Sequence, residues 1–145
     1  MTAGRICQRE VDLAEPKDSV QAAANRMLQR KVGTLVVIDA SRIPIGIVTD
    51  RDIVVRVVAR GADPKKTAVG DVMTKTLDTI DESAPVESVL ALMRNAGVRR
   101  VPVTDPGGRL VGLLSLDDVL AALSEEFVRV GELLAKQTPR EAAKR

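Results

Sequence analysis

The sequence predicts an α/β (α+β) protein built from two copies of a β-α-β-β-α unit, packed sheet to sheet with pseudo-two-fold symmetry. The main observation is an internal repeat. An offset of 66 residues aligns the two halves without a gap and places Gly46 on Gly112 and Asp52 on Asp118. Within each half, a helical period is followed by two β-type runs and a second helical segment. Neither unit is long enough to bury a core alone, so the two sheets are expected to pack together.

The first helix of each half is predicted from apolar residues spaced three and four apart. Asp18 or Ser19 is expected to cap the helix in the first half, and the aligned helix opens at Pro85. The stripes expected to face the core are Val20, Ala23, Ala24, Met27 and Leu28 in the first half, and Val86, Val89, Leu90 and Met93 in the second.

Two β-type runs separated by a polar turn follow each of these helices, and a second helix follows the runs. The remaining predicted elements are strands near Val11 and over 35–38 and 45–48 with a helix over 50–60 in the first half, and strands near Leu77 and over 101–103 and 110–114 with a helix from 117 to about 123 in the second.

The domain organisation follows from the repeat. Residues 1–61 form the first copy and residues 70–126 the second. A linker over 62–69 separates them, where proline interrupts structure and lysines favour solvent. Residues 127–145 are expected to form a C-terminal helix that ends in a frayed polar tail.

Composition narrows the functional classes. Hydrophobic residues at 45% and charged residues at 29% indicate a soluble globular protein. The net charge of +2 gives no support for a nucleic-acid partner, and the single Cys7 cannot form an internal disulfide. The longest nearly apolar run, 53–59, is too short to cross a membrane, and no secretory signal is recognisable. A cytoplasmic location is therefore expected.

One motif occurs in both halves at the junction of the last strand and the second helix. Residues 46–52 and 112–118 both read G-x-x-[ST]-x-x-D. A hydroxyl residue followed three positions later by an acid is typical of a capping box, which needs no ligand. The alternative is a ribonucleotide site, because a helix start offers N–H groups to a phosphate and a carboxylate accepts from vicinal hydroxyls. The glycine and the recurrence in both repeats favour the site.

These repeats resemble CBS domains, from about Gly4 to Ser124. The resemblance implies that Asp52 with Thr49, and Asp118 with Ser115, hold the ribose and phosphate of an adenosine-type ligand such as AMP, ADP, ATP, S-adenosylmethionine or NAD. It also implies that the adenine lies in an apolar cleft reached by strand residues. The matching residues are Thr79, Ile80, Val101 and Pro102 in the second half, and Leu13, Ala14, Leu35 and Val36 in the first.

The second half matches the family pattern better. It has Thr79-Ile80 where the first half has Leu13-Ala14. The nearest basic candidates for a phosphate are Arg51, Arg99 and Arg100, each of which is equally compatible with a solvated surface arginine. Asp118→Ala is accordingly expected to weaken ligand binding more than Asp52→Ala.

The expected function is regulatory binding without catalysis, with an adenosine nucleotide or S-adenosylmethionine as regulatory ligand and no catalytic cofactor. Because the repeats account for nearly the whole chain, the module is expected to act in trans on an unknown protein target. An enzyme using the acid pairs Asp50 with Asp52 or Asp117 with Asp118 is one alternative, disfavoured because the chain has no histidine. A protein- or DNA-interaction module with empty clefts is the other.

A homodimer in which two repeat pairs form a flat four-domain disc is also predicted. The segment 53–58 is apolar almost all round, which favours burial on more than one side. A further apolar stripe with spacings of three or four follows the second motif. The alternative is that both surfaces are used up within one chain. The residues of the stripe are Val119, Leu120, Leu123, Phe127, Val130 and Leu134.

Overall fold

The computed structural model describes residues 1–75 and 78–144, with side chains up to residue 137. It confirms the repeated β-α-β-β-α unit and adds a short leading helix to each copy. The elements are α1 (Ala3–Ile6), β1 (Leu13–Ala14), α2 (Val20–Arg30), β2 (Thr34–Ile38), β3 (Pro44–Thr49), α3 (Asp50–Ile53) and a π-helical turn (Val54–Val58), then α4 (Val69–Val72), β4 (Ile80–Asp81), α5 (Val86–Ala96), β5 (Arg100–Thr104), β6 (Leu110–Ser115) and α6 (Leu116–Lys144).

Each half contains a three-stranded sheet, in the order β1-β2-β3 or β4-β5-β6. The short first strand pairs in parallel with the second, which pairs antiparallel with the third. The register shifts at the same place in both sheets, between Val37 and Ile38 and between Val103 and Thr104. The leading strand predicted near Val11 begins at Leu13. The one predicted near Leu77 falls on residues outside the described part of the chain.

The long helices of the two halves begin and end at equivalent positions. Ser19 caps α2 by accepting a hydrogen bond from the Ala22 N–H at 3.0 Å, and α5 follows Pro85. Both end in a left-handed residue, Lys31 at φ 57° and Gly97 at φ 67°. The predicted stripes are largely confirmed, since Val20, Ala23, Met27, Val86, Val89 and Met93 are buried.

Leu28 and Leu90 do not belong to the core as predicted. Leu28 is 78% exposed and Leu90 is 37% exposed. Each helix has 11 residues and contacts its sheet along one narrow face, so residues at the edge of a stripe reach solvent.

The two halves exchange their leading segments. Val69 and Val72 of α4 are buried in the core built by the first sheet, whereas Ala3 of α1 is buried in the core of the second. Equivalent backbone bridges join the halves, Gln8 with Leu113 and Thr74 with Ile47. These reciprocal contacts create the pseudo-two-fold relation, and each sequence repeat completes the core of the other.

The exchange explains the glycine of the G-x-x-[ST]-x-x-D motif. A Cβ added to Gly112 would lie 2.6 Å from the Gln8 carbonyl oxygen, which is backbone. A Cβ at Gly46 would lie 3.0 Å from the Thr74 carbonyl oxygen and 2.6 Å from Met73 Sδ. The glycines are therefore required where the leading segment of one repeat passes over the last strand of the other.

Gly112→Ala is expected to destabilise the protein by about 1–3 kcal/mol, because the new methyl group displaces the backbone at Gln8. Gly131→Ala is the matched control: a Cβ there meets nothing within 4 Å, so alanine in α6 should be neutral or stabilise by up to about 1 kcal/mol. Chemical denaturation measures both. Equal stabilities of Gly112→Ala and the parent would contradict the packing explanation.

The second helices differ from the prediction in both halves. The first is an α-helix for only four residues and continues as a π-helical turn, in which the Ala59 N–H donates to the Val54 carbonyl at 2.8 Å. The second runs on as the 29-residue α6 without a break near residue 123. The side chains of the predicted tail lie outside the described part from residue 138 on.

Candidate functional site

Both copies of the motif form the predicted capping box. The Thr49 hydroxyl accepts from the Asp52 N–H at 3.1 Å, and the Asp52 carboxylate accepts from the Thr49 N–H at 2.9 Å. Ser115 and Asp118 repeat the arrangement at the same two distances. The capping interpretation is therefore confirmed. Because the caps use Oδ2 of Asp52 and Asp118, a ligand would have to be bound by the other carboxylate oxygen, Oδ1.

The remaining carboxylate oxygen of each motif faces the other repeat. Oδ1 of Asp52 accepts from the Thr74 hydroxyl at 3.3 Å and lies 4.0 Å from the Arg56 Nε. Oδ1 of Asp118 accepts from the Gln8 side-chain amide at 3.1 Å. Thr74 and Gln8 are equivalent in the repeat. Because a carboxylate oxygen has two lone pairs, each Oδ1 keeps the capacity to accept from a further donor such as a ribose hydroxyl.

Two equivalent clefts lie between the repeats at these oxygens. Cleft A has a volume of about 290 Å³ and is lined by residues 8, 10–12, 32–34, 100, 113, 115 and 118. Cleft B has a volume of about 540 Å³ and is lined by residues 47, 49, 52, 74, 75, 78 and 98–100. The offset of 66 places most of the lining of one cleft on that of the other. Each cleft combines the motif of one repeat with strand ends of the other.

The structure brings six of the predicted site residues into the clefts. Thr49, Asp52 and Arg99 line cleft B, Ser115 and Asp118 line cleft A, and Arg100 borders both. The eight residues predicted around an adenine do not line either cleft, and all of them except Thr79, which precedes β4, belong to the sheets. Their predicted contact with a base would have to use backbone groups. Of these, Ala14, Leu35, Val36, Val101 and Pro102 are buried, Leu13 and Ile80 are half-buried, and Thr79 is exposed.

Two features of the structure bear on the predicted phosphate contacts. Arg51 is exposed and lines neither cleft, although it lies within the motif. The N–H groups expected to be free at the helix start are occupied, since Arg51 N–H donates to Asp50 Oδ1 at 2.8 Å and Asp52 N–H to Thr49. The Asp50 carboxylate satisfies the first of these donors, and the Thr49 hydroxyl satisfies the second. These two N–H groups of α3 are therefore not available to a phosphate.

The grouping of the arginines also differs from the prediction. Arg99 was expected beside the Asp118 motif, but it lines cleft B with Asp52. Its guanidinium is 3.9 Å from Asp117, and both side chains are largely exposed, so this ion pair is weak. Arg99 therefore no longer supports ranking Asp118 above Asp52 for ligand binding, whereas Arg100 lines both clefts and the Thr79-Ile80 difference between the repeats remains.

Sequence reasoning missed the cleft residues supplied by the opposite repeat. They include Gln8 and Thr74, which hold the motif carboxylates, and Lys75 in cleft B. A signal for part of this set was present, because Asp12 and Asp78, like Val32 and Val98, are identical pairs under the offset of 66. These identities indicated that the positions matter in both repeats, but only the exchange of leading segments shows which motif each residue faces.

The model of the CBS domain family matches residues 3–59 and again residues 69–125. The chain belongs to the CBS domain family. It is similar to hypoxic response protein 1 of Mycobacterium tuberculosis, with 31% identity over 128 residues that cover 88% of this chain and 85% of the relative. The crystal structure of that CBS protein with two coordinated zinc ions superposes with a TM-score of 0.75 at 30% identity, covering 83% of this chain and 98% of the other.

Two further solved CBS structures share the fold. The hexameric CBS-CP12 protein from bloom-forming cyanobacteria has a TM-score of 0.71 at 33% identity, covering 83% of this chain and 69% of the other. The CBS domain pair of protein MJ0100, in complex with 5′-methylthioadenosine and S-adenosyl-L-methionine, has a TM-score of 0.73 at 24% identity, covering 87% and 98%. Among the described residues of this chain, no helix has the length and hydropathy needed to span a membrane.

Proposed function

We propose that this CBS-domain pair is a regulatory sensor that binds an adenosine-type ligand between its repeats and acts in trans on a protein target in the cytoplasm. One observation supports the proposal above others: in both repeats, the motif carboxylate uses Oδ2 for the cap and turns Oδ1 toward an inter-repeat cleft. A cap alone does not require the second oxygen to face a cavity.

Binding has a direct route to the packing of the pair. In each cleft, the motif belongs to one repeat, while Gln8 or Thr74 belongs to the leading segment of the other. A ribose hydroxyl that donates to Oδ1 joins or replaces those inter-repeat hydrogen bonds. Ligand occupancy would thus change how tightly the leading segments are held, and a ligand shifts an equilibrium by its differential affinity for the two arrangements.

The candidate ligands are AMP, ADP, ATP, S-adenosylmethionine and NAD. The MJ0100 pair, which has the same fold, accommodates two adenosine compounds. In this chain, the adenine is proposed to contact backbone groups of the strand residues named above. The competing function, an interaction module with empty clefts, draws on the exposed apolar surface instead.

That apolar surface is assigned to a second copy of this chain. The residues of α6 that point outward in the predicted stripe follow a heptad pattern with spacings of three and four, and Phe127 is 78% exposed. In the π-helical turn, Val54 and Val58 are 57% and 67% exposed, which supports the burial of these surfaces against a second copy. We propose a homodimer in which these surfaces meet and the two pairs form a flat four-domain disc. The exposed stripe residues are Leu120, Leu123, Phe127, Val130 and Leu134, and Val119 is buried.

A thermal-shift panel tests the sensing function. At 100 times its dissociation constant, a ligand that binds only the folded state stabilises it by about 2.7 kcal/mol, which should raise Tm by roughly 5–10 °C. Adenosine, AMP, ADP, ATP, S-adenosylmethionine and NAD are the test ligands, and GMP and GTP are the controls. An unchanged Tm with every adenosine compound would favour the interaction module.

A further inference from the structure

Cleft A and cleft B occupy equivalent positions but carry different charges. The charged side chains that line cleft B are Lys75, Arg99 and Arg100 with Asp52 and Asp78. Among the residues that the structure describes, those that line cleft A are Glu10, Asp12 and Asp118, with Arg100 as the single basic residue. Cations therefore exceed acids in cleft B, and acids exceed cations in cleft A.

The difference arises from substitutions between the repeats. Gly33 and Thr34 stand in cleft A where Arg99 and Arg100 stand in cleft B. Arg9 is the equivalent of Lys75, but its guanidinium donates to the Gly4 carbonyl at 2.8 Å and does not line the cleft.

Arg30 beside cleft A reduces the imbalance without reversing it. Its Nε donates to Asp12 at 2.8 Å, and this hydrogen bond raises the pKa of Arg30. This ion pair offsets the negative charge of Asp12. Glu10 and Asp118 then still face Arg100 alone among the charged groups of the lining.

We infer that the two clefts select different adenosine ligands: cleft B takes one that carries a 5′-phosphate, and cleft A takes one without a phosphate. This inference rests on the proposed function and assigns a ligand class to each cleft. Cationic side chains bind phosphate through charge-assisted hydrogen bonds, whereas neighbouring carboxylates repel it.

Calorimetric titration with adenosine and AMP tests the inference, because the two compounds differ only in the phosphate. Asp118→Asn weakens ligand binding in cleft A, so titration of this variant measures cleft B. Asp52→Asn weakens binding in cleft B, so its titration measures cleft A. In Asp118→Asn, AMP should bind at least about 10-fold more tightly than adenosine, and its affinity should fall as salt rises. In Asp52→Asn, adenosine should bind at least as tightly as AMP. The same AMP-to-adenosine ratio in both variants would overturn the inference.

Charge removal within cleft B provides the second arm. In the Asp118→Asn background, Lys75→Ala and Arg99→Ala should each reduce the affinity for AMP by about 10-fold and leave the affinity for adenosine unchanged. Lys65→Ala, in the linker outside both clefts, is the matched control and should change neither. An equal effect of Lys75→Ala on both compounds would contradict a phosphate role. If neither compound binds the parent, this inference fails, and the thermal-shift panel with ADP, ATP, S-adenosylmethionine and NAD decides whether the proposed function fails with it; if both bind without preference, only this inference fails.

Discussion

Asp52→Asn is expected to weaken adenosine binding in cleft B by about 10- to 150-fold, since a hydrogen bond to a charged group contributes about 1.5–3 kcal/mol. The asparagine oxygen still accepts the Thr49 N–H, so the cap and the melting temperature should be nearly unchanged. Adenosine is the appropriate ligand because the loss of a negative charge would by itself strengthen the binding of AMP. Calorimetric titration of Asp52→Asn and Asp118→Asn should show one weakened site in each, and the double variant should lose both.

Asp63→Asn makes the same chemical change in the linker, where Asp63 accepts from the Lys65 N–H, and should leave adenosine binding intact. Asp52→Ala also removes the cap and should cost about 1 kcal/mol of folding stability whether or not Asp52 binds the ribose. If Asp52 acts only as a cap, Asp52→Asn and Asp52→Ala should both leave adenosine affinity unchanged. Unchanged adenosine affinity in the double variant would rule out the two carboxylates as ribose ligands.

The largest effect on assembly is expected from charges placed on the α6 stripe. Phe127→Glu with Val130→Glu should weaken the dimer at least about 100-fold, because each chain loses two apolar side chains from the interface and buries two carboxylates. Light scattering at micromolar concentration should show a dimer for the parent and a monomer for this variant. Both positions are more than half exposed in the single chain, at 78% and 54%, so its fold should be kept.

Val128→Glu with Leu133→Glu is the matched control. These side chains are 59% and 55% exposed on the same helix but lie outside the heptad stripe. The control should remain dimeric. A monomeric parent would disprove the homodimer, and equal dissociation of the two variants would show that the heptad stripe is not the interface.

Secondary structure could be predicted well where it depends on local chemistry. The Ser19 cap can be predicted from the residue type at a single position. The buried faces of α2 and α5 can be predicted from the spacing of apolar residues along the sequence. Prediction failed where contacts with distant segments of the chain decide whether a residue is buried. Leu28 fits the apolar period as well as Met27 does, but whether it reaches the sheet depends on how the helix is placed.

The clefts show the same division. The motif chemistry of Asp52 and Asp118 was visible in the sequence because the spacing of a capping box is local. The partners of their second oxygens were not visible, because Gln8 and Asp118 are 110 residues apart in the chain. Arg99 was assigned to the wrong motif for the same reason: proximity in sequence suggested Asp118, and the exchanged packing places it with Asp52.

The sequence by itself determined the repeat, the strand and helix order and the two motifs, since each depends on residue types within one unit. Only the tertiary structure decided that α1 completes the second core and α4 the first. That exchange assembles each cleft from both repeats, and the residue differences between the repeats then give the two clefts different charges. The physical reason is that removing apolar surface from water stabilises contacts between segments wherever they lie in the chain. The pairing of segments is therefore set by the whole fold and not by local spacing.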